Sequence, residues 1–292
     1  MTKASAPHND PLSTAPPARH PATGPDTCAL IPAEPAADQQ GRASPTPRSG
    51  GGTARSTGLV YITTTDINPE IITVLKQDIR RSRLQRNVIT SARLIQQDLE
   101  ATKTRFRACF LTLTYGDTPW KPEHISQTLK LIRQYLKCRG HAFRYVWVLE
   151  PQPRSKKPHY HIIIWLPRGV TLPKPDKQGW WKHGFSKIEW ARRPVGYIAG
   201  YASKAKEFGH FPKGARTHGS GGLTLASRIE RAWWMAPLWV REKFTTIDHY
   251  PKKILGGWLS RLTGEVIESP WEIVESSMFM TMMKFKRREV TQ

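Results

Sequence analysis

Residues 143–166 read FRYVWVLE, PQPRSKKP, HYHIIIWL, and the fold turns on this stretch. Its flanks, Phe143–Glu150 and His159–Leu166, are dense in β-branched and aromatic residues, the composition of strands. The eight residues between them hold three prolines and three basic groups, a turn-rich connection. The pair therefore reads as an antiparallel hairpin. A turn about the middle of the connection sets Glu150 opposite His159 and Val148 opposite His161. Alternate residues of a strand share a face, so the two imidazoles project together and Tyr160 points away. Directly opposed residues also share a face, which brings the Glu150 carboxylate beside both histidines. Gln152 has the same parity and is the alternative third ligand. Two histidines and a carboxylate with open positions suit Mg²⁺ or Mn²⁺. Two histidines at this spacing also occur by chance, so the opposed carboxylate carries much of the argument.

Working outward, Phe106–Tyr115 (FRACFLTLTY) is a further strand. Pro122 opens a helix with Ile125, Leu129, Ile132 and Leu136 on one face, and Gly140 stops it. Phe185–Trp190 is a short strand, and a helix runs from about Pro194 to Glu207. The order β-α-β-β-β-α predicts an α+β fold, a central antiparallel sheet with helices on its faces. Upstream, Ile71, Leu75, Ile79, Leu84, Val88, Ile95 and Leu99 predict helix from about Pro69 to Lys103. Arg80, Arg81, Arg83, Arg86 and Arg93 line its other side, either a solvated face or one for a nucleic-acid backbone. Downstream, Gly219–Gly222 reads as a flexible loop, and WLSRLTGEVIESPW (258–271) as a hairpin turning at Thr263–Gly264.

Four segments follow: a tail over 1–57, a basic helical region over 58–104, the principal domain over 105–250, and a C-terminal hairpin with a basic tail over 251–292. The tail holds ten of the 24 prolines and no aromatic residue, so it cannot offset its ordering entropy and is expected to be disordered. It carries five Lys/Arg and four Asp/Glu, which leaves +21 of the net +22 on the remaining residues. Nucleic acid is the natural counterweight to such a charge. No apolar run approaches the ~20 residues of a membrane helix. The three cysteines (Cys28, Cys109, Cys138) form no CxxC pair, so no zinc knuckle is expected. There is no GxxxxGK[ST], which removes an attached P-loop motor.

A second constellation is Gly196–Lys204, GYIAGYASK. On a helix, Tyr197, Tyr201 and Lys204 fall at i, i+4 and i+7 and form one stripe. Aromatic stripes at this spacing are ordinarily core; this one ends in a lysine, as a face that meets phosphate would. A phenol is a poor nucleophile at neutral pH. A metal on the phosphate and a nearby ammonium make it competent. Lys204 is one turn from Tyr201 and two from Tyr197, so Tyr201 is expected to make the first cut and Tyr197 to receive the strand later. Trp180, Trp181, Lys182, His183 and Phe185 interleave aromatic and basic groups. They read equally as a platform for unpaired bases or as a hydrophobic plug.

Together the two constellations resemble the HUH endonucleases that initiate rolling-circle DNA replication, and most closely their two-tyrosine branch in phage initiators. Thr112–Tyr115 is similar to that family's first motif strand, Glu150–Pro151 with Lys157–Ile163 to its metal hairpin, and Tyr197–Lys204 to its nucleophile helix. The similarity covers roughly residues 105–210. It implies an RRM-like sheet crossed by the tyrosine helix, and a metal held by His159, His161 and Glu150. It further implies nicking of single-stranded origin DNA by Tyr201 or Tyr197, with Lys204 assisting, to give a 5′-phosphotyrosine and a free 3′-OH. A helicase and replication machinery borrowed from a bacterial host, and residence in that host's cytoplasm, belong to the same expectation. A rolling-circle transposase, a plasmid initiator or a non-catalytic origin binder would share parts of this pattern.

Overall fold

The computed structural model describes residues 71–152, 157–204 and 214–286. The tail expected over 1–57 and the end of the tyrosine helix beyond Lys204 lie outside the described residues. The described chain opens with strand β1 (Ile71–Leu75) and helix α1 (Lys76–Ala101). There follow β2 (Phe106–Tyr115), α2 (Glu123–Cys138), β3 (Arg144–Pro151), β4 (Pro158–Pro167), β5 (Gly184–Ala191) and α3 (Pro194–Lys204). A short strand β6 (His218–Gly221) and helices α4 (Leu225–Met235) and α5 (Leu238–Lys243) come next.

The central sheet has five strands in the order β5-β2-β4-β3-β6, and every pairing is antiparallel. β2 and β3 run in the same direction, joined through α2, with β4 inserted between them. This is a split β-α-β unit closed by a hairpin. The predicted α+β class and antiparallel sheet are therefore present, as is the predicted hairpin register. Glu150 pairs with His159 and Val148 with His161.

Period-2 alternation divides the strands between two faces. Ala108, Phe110, Val146, Val148, Ile163 and Trp165 meet a stripe of α1, namely Leu84, Val88, Ala92, Ile95 and Leu99, together with Ile198 and Ala202 of α3. Each of those large apolar side chains is at most 4% exposed, a burial that stabilises by about 1.5–3 kcal/mol apiece. The opposite face carries Tyr115, Trp147 and Tyr160, all buried, together with Trp181. There the Tyr115 Oη to His124 Nδ1 contact of 3.1 Å fixes α2 to the sheet. Helices thus cover both faces.

Two expectations are corrected. The helix predicted from Pro69 begins only at Lys76; Ile71–Leu75 is strand β1, paired with β11 (Met280–Phe285), which in turn pairs with β10 (Trp271–Ser276). A partner more than two hundred residues away overrides local periodicity. The stretch read as a glycine loop is instead β6, hydrogen-bonded to β3. Its glycines are a packing requirement: a Cβ at Gly219 would stand 2.5 Å from the Trp147 indole, and one at Gly221 2.5 Å from the Tyr145 ring. The C-terminal hairpin is present as β8 (Gly257–Leu259) and β9 (Val266–Glu268), joined by β7 (Lys252–Ile254) into a small sheet. Among the described residues no helix is long and apolar enough to cross a membrane.

Candidate active site

Register places chemistry in rows across the sheet. One row runs Glu150, His159, Thr114, Phe185; the next runs His218, Val148, His161, Thr112, Lys187. Both rows face α3. Ile198 and Ala202, fully buried against the sheet, hold that helix in place and lay the Tyr197 and Tyr201 stripe over the second row. Gly196 and Gly200 fall on the outer side of α3, where a Cβ would meet nothing within 4 Å.

The predicted residues come together. The Tyr201 ring stacks on the His161 imidazole with centroids 3.9 Å apart and planes at 26°. Phe110, from the row beneath, supports both rings, 5.4 Å from Tyr201 and 5.6 Å from His161. Tyr197 meets the edge of Phe110 at 4.9 Å and lies 6.1 Å from Tyr201. Lys204 Nζ stands 5.1 Å from the Tyr201 ring centre, one turn along the helix as the spacing requires. Tyr197 is half-exposed at 49%, whereas Tyr201 is partly buried.

The histidines have different partners. His161 Nε2 lies 3.0 Å from Glu150 Oε2, and its Nδ1 lies 3.4 Å from Thr112 Oγ1. Nε2–H donating to the carboxylate and Nδ1 accepting from the hydroxyl satisfies both contacts. His159 Nε2 is buried with no hydrogen-bond partner. Burial, reinforced by His161 and opposed by Glu150, lowers the His159 pKa and keeps the ring neutral. Burial, with Tyr197, Glu150 and Glu189 adding to it, raises that of Tyr201, so the phenol holds its proton in the free protein. Among the described residues no three His, Cys, Asp or Glu side chains are gathered closely enough to hold a metal as they stand. The donor set is nonetheless of the right kind. It comprises a neutral imidazole with an unused nitrogen, a second imidazole, and a carboxylate now bonded to that second ring. Glu150 stands in register with His159 and meets His161, and the Gln152 backbone N–H closes the hairpin onto Lys157 O at 2.9 Å.

The aromatic cluster before β5 resolves into two parts. Trp180 and Trp181 are buried at 8% and 1%, and Trp181 Nε1 donates to Thr114 O at 3.0 Å, so they form the plug. Phe185 is 72% exposed and ends the row that contains His159. Two strand spacings, about 10 Å, separate the two. Only the β5 register, invisible in the sequence, tells Phe185 from its neighbours.

Comparison with known proteins converges on the same stretch. Residues 108–206 match the family model for the replication-associated protein ORF2 group, and those residues span β2 to α3. The replication-associated protein ORF2 of Spiroplasma virus 4 is 27% identical over 135 residues, a region that covers 38% of this chain and 42% of the viral protein. No solved structure matches. The residues matched by the family model include Glu150, His159, His161, Tyr197, Tyr201 and Lys204, while His218 lies outside them.

Proposed function

We propose that this protein initiates replication by nicking single-stranded origin DNA, with Tyr201 as the nucleophile of the first cut. The stacking of Tyr201 on His161, with Lys204 one turn away, carries the reading. It puts a phenol, a cation and a His-His-Glu donor set on a single open face. The similarity to replication-associated proteins supports it.

In the reaction, Tyr201 Oη bonds to phosphorus as the bond from phosphorus to O3′ breaks. The phenolic proton is lost, and O3′ takes up a proton to become a 3′-OH. The other product is a 5′-phosphotyrosine. The phosphodiester is conserved, so a later 3′-OH can reverse the step and rejoin the strand. Lys204 stabilises the phenolate and the charge that builds on phosphate. Tyr197, on the same face, receives the strand in a second transfer while Tyr201 is still occupied. Phe185 offers an exposed ring for an unpaired base beside the cut.

His159, His161 and Glu150 fit a divalent cation, Mg²⁺ or Mn²⁺, which when bound would draw charge from a non-bridging phosphate oxygen. Binding it requires Glu150 to release His161 Nε2. Nucleic acid and a host helicase are the partners this reading implies.

The test is incubation with single-stranded origin DNA and Mn²⁺, followed by denaturing electrophoresis. An SDS-resistant protein–DNA adduct is expected in wild type, and none with His161→Ala or in EDTA. DNA affinity should persist in both, because it comes mainly from the basic surface. Full adduct formation in EDTA would overturn the metal assignment. Tight binding to origin DNA with no adduct under any metal would leave the non-catalytic binder instead.

A further inference from the structure

Two arginines of α1, Arg83 and Arg86, have a role the site above does not use. α4 lies antiparallel along α1, and the polar contacts between the two helices change character along their length. Near the C-terminal end of α1, Asp98 Oδ2 accepts from Ser227 Oγ at 2.8 Å and from Thr224 Oγ1 at 3.1 Å. Midway, Arg93 Nη2 is 3.3 Å from Glu230 Oε1, which also accepts from Trp234 Nε1 at 3.0 Å. Asp98, Arg93 and Glu230 are thus all partnered.

Toward the N-terminal end the partners change. Arg231 donates to the neutral Asn87 Oδ1 at 2.6 Å. Arg241 of α5 lies over Trp233 and Trp234, 5.2 and 5.5 Å from the ring centres. The Nε atoms of Arg231 and Arg241 are buried and have no acceptor. Arg83 lies one turn before Asn87 on α1, where Asn87 Nδ2 donates to Arg83 O at 3.0 Å, and Arg86 is the residue before Asn87, so both arginines spring from the turn that Arg231 touches. Partial burial of its stem, Arg241 and Arg83 lower the Arg86 pKa, and burial, Arg231, Arg216 and Arg83 push His218 down to about 4. Among the described residues no ion pair neutralises Arg83, Arg86, Arg231 or Arg241.

Like charges gathered without a counterion weaken the fold unless an anion joins them. We infer that Arg83, Arg86, Arg231 and Arg241, beside His218, form a second DNA site that grips backbone phosphates away from the cut. The inference rests on the DNA-nicking reading for the identity of the anion. A planar guanidinium offers paired donors to a phosphate, and aromatic faces hold it in place. Position supports DNA: His218 is in register with Val148, and Val148 with His161, on one face. The two rings are thus separated by two strand spacings, about 10 Å. A strand leaving Tyr201 across the β3–β6 edge meets these arginines next. Arg83 and Arg86, open in sequence between a solvated face and a backbone face, go to the backbone, whereas Arg93 is held by Glu230.

The experiment uses the full chain with Arg83→Gln and Arg86→Gln combined, since both are exposed and their loss spares the core. Lys130→Gln with Lys137→Gln on α2, across the sheet, removes the same charge as a control. Binding is measured over a salt series on a short oligonucleotide covering only the cleaved bond, and on the same oligonucleotide extended as a single strand or as duplex. On extended DNA the arginine variant should bind roughly tenfold more weakly. Its log–log salt slope should be shallower by about 0.7 per lost contact on a single strand, or about 0.9 on duplex. The larger loss identifies which form of the backbone the site holds. Adduct formation on the short oligonucleotide should match wild type. Equal losses in the arginine and lysine variants would overturn the site, leaving only diffuse charge. An arginine-specific loss in a protein that forms no adduct would uphold the site while the cleavage reading fell.

Discussion

On one face of β4, Tyr160 packs between Trp147 and Trp181, and its Oη accepts from Trp120 Nε1 at 3.0 Å. On the other face, one residue to either side, lie His159 and His161; His161 stacks on Tyr201, and His159 Nε2 has no hydrogen-bond partner. The two faces use the same kinds of residue. Both stack tyrosine, histidine and phenylalanine or tryptophan at similar distances. They differ in closure. On the Tyr160 face, Tyr115 meets His124, Trp181 meets Thr114 O, and Thr128 Oγ1 meets Trp180 O at 3.0 Å. On the His161 face, polar atoms and rings are left over: His159 Nε2, the exposed Tyr197 ring and the exposed Phe185 ring. A satisfied aromatic cluster is a way to build a core, whereas an unsatisfied one is a way to meet something else.

Substitution on each face can break or sharpen this contrast. The largest effect should come from Tyr201→Phe, which keeps the ring stacked and removes the hydroxyl. First-strand adduct should fall by at least about 10⁴-fold with the thermal midpoint unchanged. Tyr197→Phe should still form the first adduct and fail to release closed circles in a complete replication assay. The reverse pattern would exchange the two roles.

Trp181→Ala tests the closed face. It should cost about 3–5 kcal/mol in a denaturant titration, while the protein that remains folded still forms adduct. Loss of adduct with unchanged stability would mean that the closed face takes part in the chemistry.

His218 stands at the margin of the open face and gives a pH signature. Its pKa, held near 4 chiefly by burial, lies below the ordinary 6.5. Its contribution to stability is fully present above pH 6.5 and is lost as pH falls toward 4, where the buried ring must charge. Stability should decline by about 3 kcal/mol across that window, and His218→Gln should flatten the decline. An unchanged pH profile in the variant would assign the acid sensitivity to other groups.

Phe185→Ala should have the smallest effect. Stability should move by less than about 0.5 kcal/mol, because the ring is mostly in solvent. Affinity for single-stranded DNA should drop by about 1–3 kcal/mol if a base stacks there. Unaltered affinity would return Phe185 to the status of an ordinary surface residue.

How much of the molecule is legible in its sequence depends on the range of the forces involved. The β3–β4 register can be read because a period of two leaves no freedom once a turn is placed, so Glu150, His159 and His161 emerge together. Tyr197, Tyr201 and Lys204 emerge because helical spacing is equally rigid. Local periodicity misleads over Ile71–Leu75, since Ile71, Leu75 and Ile79 fit a helical repeat and the decisive partner, β11, lies at the far end of the chain. The glycines of β6 mislead for a similar reason: what they make room for, Trp147 and Tyr145, is a tertiary neighbour. The division of labour between Trp181 and Phe185 is out of reach until β5 has a register against β2. Likewise, nothing local marks Arg93 as neutralised and Arg86 as not; that depends on where Glu230 of α4 falls.

The bare outer side of α3 has a consequence for motion. Neither Gly196 nor Gly200 is needed for packing, since a methyl group at either would touch nothing within 4 Å. Two glycines in an 11-residue helix weaken its intrinsic preference by about 2 kcal/mol relative to alanine. Helix α1, of 26 residues, contains none. The amides of α3 therefore belong among those that open first, exchanging their hydrogens with solvent while the sheet beneath stays shut. Its two phenols ride on the most yielding helix of the matched region, which can shift to follow a tethered strand without disturbing the rigid plate that holds the histidines.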